Sequence, residues 1–229
     1  TFTVKNIVYD HSDYRNSAHM GKFPANYDKS KTTRAGDVLT WQGLYIKEIS
    51  VKMPKSLEFG TSGDKRLKIS ANDMFFDDSG ATLTIGADDV LSAKTGKAGG
   101  WAFSLDKVHA SFVQNNFNDC GFSGKFEVPL LDGKMGYSCQ IMKVNDIENA
   151  PAGNYAYIFK VQQVDQLKLD FFLSTAEFNK DLTYMLVEAV PEKNELKTRV
   201  ELLMTGDLSI GGEAMQAKMR NLNLSFDLP

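Results

Sequence analysis

The stretch that decides the fold reads Leu44-Tyr45-Ile46-Lys47-Glu48-Ile49-Ser50-Val51-Lys52-Met53. Apolar and polar residues alternate along it, and successive side chains of a β-strand point to opposite faces of a sheet. The pattern therefore predicts a half-buried strand. Its phase changes once, because Leu44 and Ile46 share one parity whereas Ile49 and Val51 share the other. A β-bulge near Lys47-Glu48 would reconcile the two halves.

Similar short runs, separated by turn residues, fill most of the chain. Residues 38–41 precede the deciding stretch across Gln42-Gly43, and we expect them to belong to the same long strand. The segment 174–190 is ambiguous, because Ser174 and Glu177 have capping-box spacing while residues 182–190 resemble one arm of a hairpin with a loop at 191–195. Strand is favoured there by Tyr184, Val187 and Val190, which have high β-propensity.

These runs predict an all-β fold, mostly antiparallel, with at most one short helix. Either a multi-strand sandwich or an elongated repetitive sheet would fit. A faint internal echo favours the repetitive sheet: Ser79-Gly80, Ser123-Gly124 and Thr205-Gly206 each stand close before an apolar residue.

The chain of 229 residues is expected to be a single β-rich domain, 1–229, or a segment of a larger protein. It starts in a strand pattern without an initial Met and stops in another, which favours a processed chain or a segment. Residues 10–37 show no sustained period and are interpreted as an irregular loop or extension over the sheet.

The two cysteines are predicted to be free and buried. Residues 121–144 read as a β-hairpin that turns at Asp132-Gly133, and in that register Cys139 faces Phe126. Cys120 then lies about 20 Å along the strand, at roughly 3.3 Å per residue. A disulfide needs Cα atoms within about 7 Å.

The overall composition argues against two classes of protein. With 26 basic and 29 acidic residues mixed along the chain, it lacks the concentrated basic surface typical of nucleic-acid binding. No apolar run approaches the ~20 residues of a transmembrane helix. Protein partners, or neighbouring segments of the same chain, are the expected contacts.

Acidic residues in turns are the first candidates for a site. Asp73, Asp77 and Asp78 crowd oxygen donors together, and Ca²⁺ prefers oxygen ligands. The spacing of an EF-hand loop is missing, however, and Asp at a turn often hydrogen-bonds its own backbone. No cofactor is expected, and Ca²⁺ is kept as a candidate ligand.

The two tryptophans, Trp41 and Trp101, are candidates for stacking against a glycan. Each stands in an alternating apolar run, so core packing is the competing interpretation. No nucleophile motif is present. Paired carboxylates of a hydrolase depend on the fold, so the local sequence does not reveal them.

The leading hypothesis is a non-enzymatic structural or protein-interaction β module of a larger extracellular or envelope-associated assembly. The first alternative is a ligand-binding module, for a glycan with Ca²⁺ or for lipid in an apolar groove. The second alternative is a hydrolase with dispersed carboxylates.

Overall fold

The protein is almost entirely antiparallel β-sheet, which confirms the predicted class. The computed structural model describes residues 1–31, 33, 37–54, 66–129, 133–144, 155–172, 174–192, 195–210 and 215–228. Short 3₁₀ turns occur at Lys29–Lys31, Val38–Thr40 and Lys180–Leu182. The strands are β1 (Phe2–Asp10), β2 (Gly43–Lys52), β3 (Lys68–Asp77), β4 (Gly80–Leu91), β5 (Lys97–Ala98), β6 (Trp101–Ala102), β7 (Leu105–Val113), β8 (Asn116–Glu127), β9 (Lys134–Lys143), β10 (Tyr155–Gln163), β11 (Leu167–Phe171), β12 (Ser174–Phe178), β13 (Tyr184–Glu192), β14 (Glu195–Ile210) and β15 (Met215–Leu228).

Two compact units divide the chain. The first comprises residues 1–90 and 107–120, and the second comprises residues 91–106 and 121–229. Neighbouring strands of the first unit follow the order β1-β2-β3-β4. In the second unit the order is β9-β10-β13-β14, and β14 also pairs with β12 and β15. The prediction of a single domain stays a prediction.

Two local predictions need correction. Residues 38–41 do not extend β2, because Asp37 starts a 3₁₀ turn: its carboxylate accepts the Leu39 amide and its carbonyl accepts the Thr40 amide. The loop predicted at 191–195 is also shorter, since Pro191 pairs with Leu196 and Glu192 with Glu195. The segment 174–190 forms β12, a 3₁₀ turn and most of β13, so strand was the better choice.

The three Gly-containing echoes are not structurally equivalent. Ser79-Gly80 forms the turn that begins β4, whereas Ser123-Gly124 lies inside β8 and Thr205-Gly206 inside β14. Gly206 is needed for close approach of the backbone, since a Cβ there would lie 2.3 Å from the Glu177 carbonyl oxygen. The similarity of the three dipeptides therefore reflects separate local requirements for glycine and gives no evidence of a structural repeat.

A break in the alternation runs across the first unit. Asn6 in β1 and Asp73 in β3 both have φ of 45°, in the left-handed region that Asn and Asp tolerate best among residues with a side chain. Next to β4, the register shifts: Asn72 pairs with Thr84, but Phe75 pairs with Thr82. Two residues, Asp73 and Met74, therefore stand opposite Leu83, as in a β-bulge.

Because of the bulge, apolar residues before and after the break in alternation point to the same face of the sheet. Thr82 and Thr84 are two residues apart in β4 and point to the same face, so their partners Phe75 and Asn72 do as well. Tyr45 pairs with Phe75, and Glu48 pairs with Asn72. Leu44, Ile46, Ile49 and Val51 consequently share the opposite face, as the change of parity indicated. The predicted position of the β-bulge was wrong, because β2 stays in register with β1 and β3 across Lys47-Glu48 and the extra residue lies in β3.

The aromatic core of the first unit lies on the face that carries Tyr45 and Phe75. Tyr27, from residues 11–31, and Trp41, from residues 37–42, pack on this face and form a cluster with it and with Val113. Phe23 packs against the same cluster, with its ring centroid 4.9 Å from that of Phe75. Trp41 meets Phe75 edge to face at 5.7 Å, a favourable geometry for aromatic pairs.

The sheet of the second unit is amphipathic. One face carries cross-strand rows such as Cys139–Phe159–Val187–Val200 and Tyr137–Val161–Met185–Leu202. The other face is mixed, with rows such as Gln140–Ile158–Glu188–Arg199 and Ser138–Lys160–Leu186–Glu201. Within the described strands of this unit, one face is therefore mainly apolar and the other carries both polar and apolar side chains.

We expect the substitution Phe75→Ala to destabilise the protein by about 3–5 kcal/mol, because it removes a fully buried ring from the aromatic cluster. Phe76→Ala is the matched control, since the adjacent ring points to the other face and is 37% exposed. Its cost should be about 1 kcal/mol or less. Urea unfolding of both variants at one protein concentration measures the difference, and equal costs would contradict the assignment of faces.

Candidate functional site

The most prominent surface of the first unit is the sheet face that points away from the aromatic core. Cross-strand pairing places Phe2 beside Val51 and Val51 beside Ile69, and the next row on this face runs Val4–Ile49–Ala71–Ile85. Beyond the bulge, the rows Ile7–Ile46–Met74 and Tyr9–Leu44–Phe76 continue it. We call this surface the open face and define it by its exposed side chains, which are Phe2, Val4, Ile7, Tyr9, Val51, Ile69, Phe76 and Ile85.

The open face carries apolar side chains on all four strands. Those eight side chains are 36–74% exposed, and Met74 at its centre is buried. The carboxylate of Asp73, in the bulge, accepts a hydrogen bond from the Tyr45 hydroxyl at 3.0 Å and so points to the core face. The largest apolar patch on a folded protein is often a site of interaction, which makes the open face a candidate functional site.

The opposite face is charged near the same strand ends. The Glu48 carboxylate accepts hydrogen bonds from Lys5 Nζ at 2.5 Å and from Lys68 Nζ at 3.0 Å. These bonds hold the pKa of Glu48 at about 2, below its ordinary range. The charged side chains of Lys5, Glu48 and Lys68 thus lie on the core face of the sheet, opposite the open face.

The three acidic candidates do not come together at a common point in the way a calcium site would need. Asp77 accepts hydrogen bonds from Trp41 Nε1 at 2.8 Å and from the hydroxyl of Tyr27. It also accepts the Ser79 amide at 2.8 Å, which is the turn chemistry weighed as the alternative. The Asp73 carboxylate accepts a hydrogen bond from the Tyr45 hydroxyl, and the Asp78 side chain is exposed in the turn. Among the described residues, no group of three His, Cys, Asp or Glu side chains is placed to hold a metal ion.

The two tryptophans lie in different surroundings. Trp41 is completely buried, which agrees with core packing and leaves no ring surface for a glycan. Trp101, in the second unit, is 44% exposed and stacks on Phe126 with ring centroids 6.0 Å apart. The proposed stacking platform therefore retains only Trp101.

A polar cluster that the sequence did not indicate lies on β7 and β8. His109 Nε2 is 3.1 Å from Asp119 Oδ1, and the Ser111 hydroxyl donates to the other oxygen of the same carboxylate. In nucleophilic catalysis the imidazole would have to contact the hydroxyl. Here both groups bind the carboxylate, so the arrangement fits a structural role. The only indication of this cluster in the sequence was that His109 and Ser111 are two residues apart in a strand.

A groove of about 820 Å³ lies between the end of β1 and the following segment. It is lined by Ile7–Asp10 on one side and by residues 15–19 on the other. Asp10 holds the two sides together, because its carboxylate accepts the Ser12 amide at 2.9 Å and the Ser17 amide at 3.1 Å. Arg15 and His19 also line the groove, and we assign no ligand to it.

Cys120 and Cys139 form no disulfide, as the predicted strand geometry required. Both are half-buried, whereas the sequence predicted burial. Within the described residues, no helix has the length and apolar character needed to cross a membrane.

Tyr45 offers a test of the core face. Burial raises its pKa to about 12, and the hydrogen bond to Asp73 and the charge of that carboxylate act in the same direction. The folded state thus keeps a proton that the unfolded chain loses near pH 10, so stability should fall as the pH rises from about 10 to about 12.

We expect Tyr45→Phe to reduce this loss of stability, because the variant has no phenol to ionise at this site. Urea unfolding at several pH values between about 9 and about 11 measures the effect. Tyr14→Phe is the control, because Tyr14 is 84% exposed, and it should keep the parent's dependence on pH. An unchanged dependence in the Tyr45 variant would show that the Tyr45 hydroxyl is not buried against Asp73.

Comparisons with protein-family models, with curated proteins and with solved structures gave no match. The function therefore has to be argued from the residues of this chain. On the open face, eight large side chains of four neighbouring strands are exposed, and water solvates their apolar surface poorly.

Proposed function

We propose that the protein is a non-enzymatic interaction module whose open face packs against a β-sheet of another protein layer in a larger assembly. The observation that carries this proposal is the exposure of apolar side chains on β1, β2, β3 and β4 at positions that share one face. A sheet that is apolar on one face ordinarily buries that face against a second layer.

The size of the open face supports an interface. Four strands at about 4.8 Å spacing span about 19 Å, and the eight residues from Phe2 to Tyr9 span about 26 Å. Their product is about 500 Å², within the range of the largest apolar patches on monomers, which are often functional. At about 25 cal/mol per Å² of apolar surface buried, a covering layer would gain on the order of 10 kcal/mol before the costs of association.

The composition of the open face supports a closely packed, dry interface. Ile, Val and Phe side chains dominate it, and the charged residues Lys5, Glu48 and Lys68 lie on the opposite face. Apolar composition of this kind is typical of obligate interfaces, which resemble a domain core cut in half.

An apolar ligand is the second candidate occupant. It is favoured by the near absence of hydrogen-bonding groups on the open face, where the Tyr9 hydroxyl is the polar exception among the eight defining side chains. Acyl chains need only such a surface, whereas a protein interface usually has a polar rim. The extracellular or envelope location inferred from the sequence remains part of the proposal.

The proposal is tested by placing a charge on the open face. We expect Ile85→Lys to lower the free energy of unfolding by about 1 kcal/mol or less in dilute protein, because Ile85 is already 44% exposed. The same variant should lower the fluorescence of the apolar dye ANS, since the dye binds exposed apolar surface.

Thr84→Lys is the control for the dye. Thr84 is the preceding residue of β4 and points to the core face, so its variant should bind as much ANS as the parent protein. A loss of several kcal/mol in Ile85→Lys, or weak dye binding by the parent protein at concentrations where it is monomeric, would show that the face is already covered within one chain and would contradict the proposal.

A further inference from the structure

We infer that the occupant of the open face is a second copy of this chain, related by a two-fold axis that packs the two open faces together. The inference rests on the proposed function and adds the identity of the partner. Three observations about the first unit favour the second copy: the charge distribution, the area and the shape of the strands.

The charge distribution allows the open face of one copy to pack against the open face of a second copy. In a two-fold interface the same residues come from both copies, so any charge on the surface meets a like charge. From the row Phe2–Val51–Ile69–Ala87 to the row Tyr9–Leu44–Phe76–Ala81, the open-face positions are apolar. The pair Lys5–Glu48 lies on the other side of the sheet, so self-association of these rows brings no like charges together.

The area reaches the lower limit for a specific pair. Each copy contributes about 500 Å² by the strand spacings, so two copies bury about 1,000 Å² in total. That value reaches the size at which specific interfaces separate from incidental contacts. Because the exposed side chains are large and apolar, most of this area would be dehydrated on pairing.

The shape of the strands suits face-to-face packing. Two antiparallel sheets pack with their strands about 30° apart, at a separation of about 10 Å filled by side chains from both. In the row Val4–Ile49–Ala71–Ile85 of the open face, the small Ala71 lies between the larger Ile49 and Ile85. A small residue between larger ones leaves room for a large side chain of a facing layer.

The test compares two double variants. Each carries two new lysines, and the positions in one variant are adjacent along the strand to those in the other. Val4→Lys with Ile85→Lys places two positive charges on the open face. Thr3→Lys with Thr84→Lys places the same charges on the adjacent residues, which point to the core face. Molar mass by sedimentation equilibrium at micromolar concentration is the readout, and circular dichroism checks that each variant is folded.

We expect a dimer for the parent protein and for the core-face variant, with at least a hundredfold weaker association for the open-face variant. A monomeric parent protein would overturn the inference. If that monomer binds ANS and the open-face variant does not, the proposed function survives with a different occupant. If neither binds the dye, the proposed function fails as well. Equal loss of dimer in both variants would place the interface elsewhere and would also overturn the inference.

Discussion

The structure of the first unit depends on a break in strand alternation that crosses β1, β2 and β3 in phase. Asn6 and Asp73 adopt the left-handed conformation, and Asp73 and Met74 together stand opposite Leu83. A shift of one residue in a strand exchanges its two faces. Without this break, the apolar residues on the two sides of it would point to opposite faces, and neither face would be uniformly apolar.

The break also fixes the position of the aromatic core. Tyr45 and Phe75 point to the same face, where Trp41 and Tyr27 complete the cluster and donate hydrogen bonds to Asp77. Asp77 thus satisfies two buried polar hydrogens that would otherwise be costly. The acidic residue that resembled a calcium ligand is a structural acceptor, and the tryptophan beside it is part of the core.

Much of this architecture could be predicted from local pattern. Strict alternation identified the strands, and the change of parity between Ile46 and Ile49 indicated the irregularity. The fate of Trp41 and Asp77 could not be predicted, because it depends on a contact between residues 36 positions apart. The 3₁₀ turn after Asp37 was missed because one side-chain cap outweighed the apolar pattern. The open face could not be predicted for a similar reason, because it forms only when four strands pair in register.

The most direct test of this account is the register between β3 and β4, measured in solution from cross-strand nuclear Overhauser effects. The bulged arrangement predicts contacts of Asn72 with Thr84 and of Phe75 with Thr82. An unbroken ladder that keeps the first pair would instead join Met74 to Thr82. Contacts between Phe75 and Thr82 would establish the single apolar face, whereas contacts between Met74 and Thr82 would contradict it and remove the basis for the proposed interface.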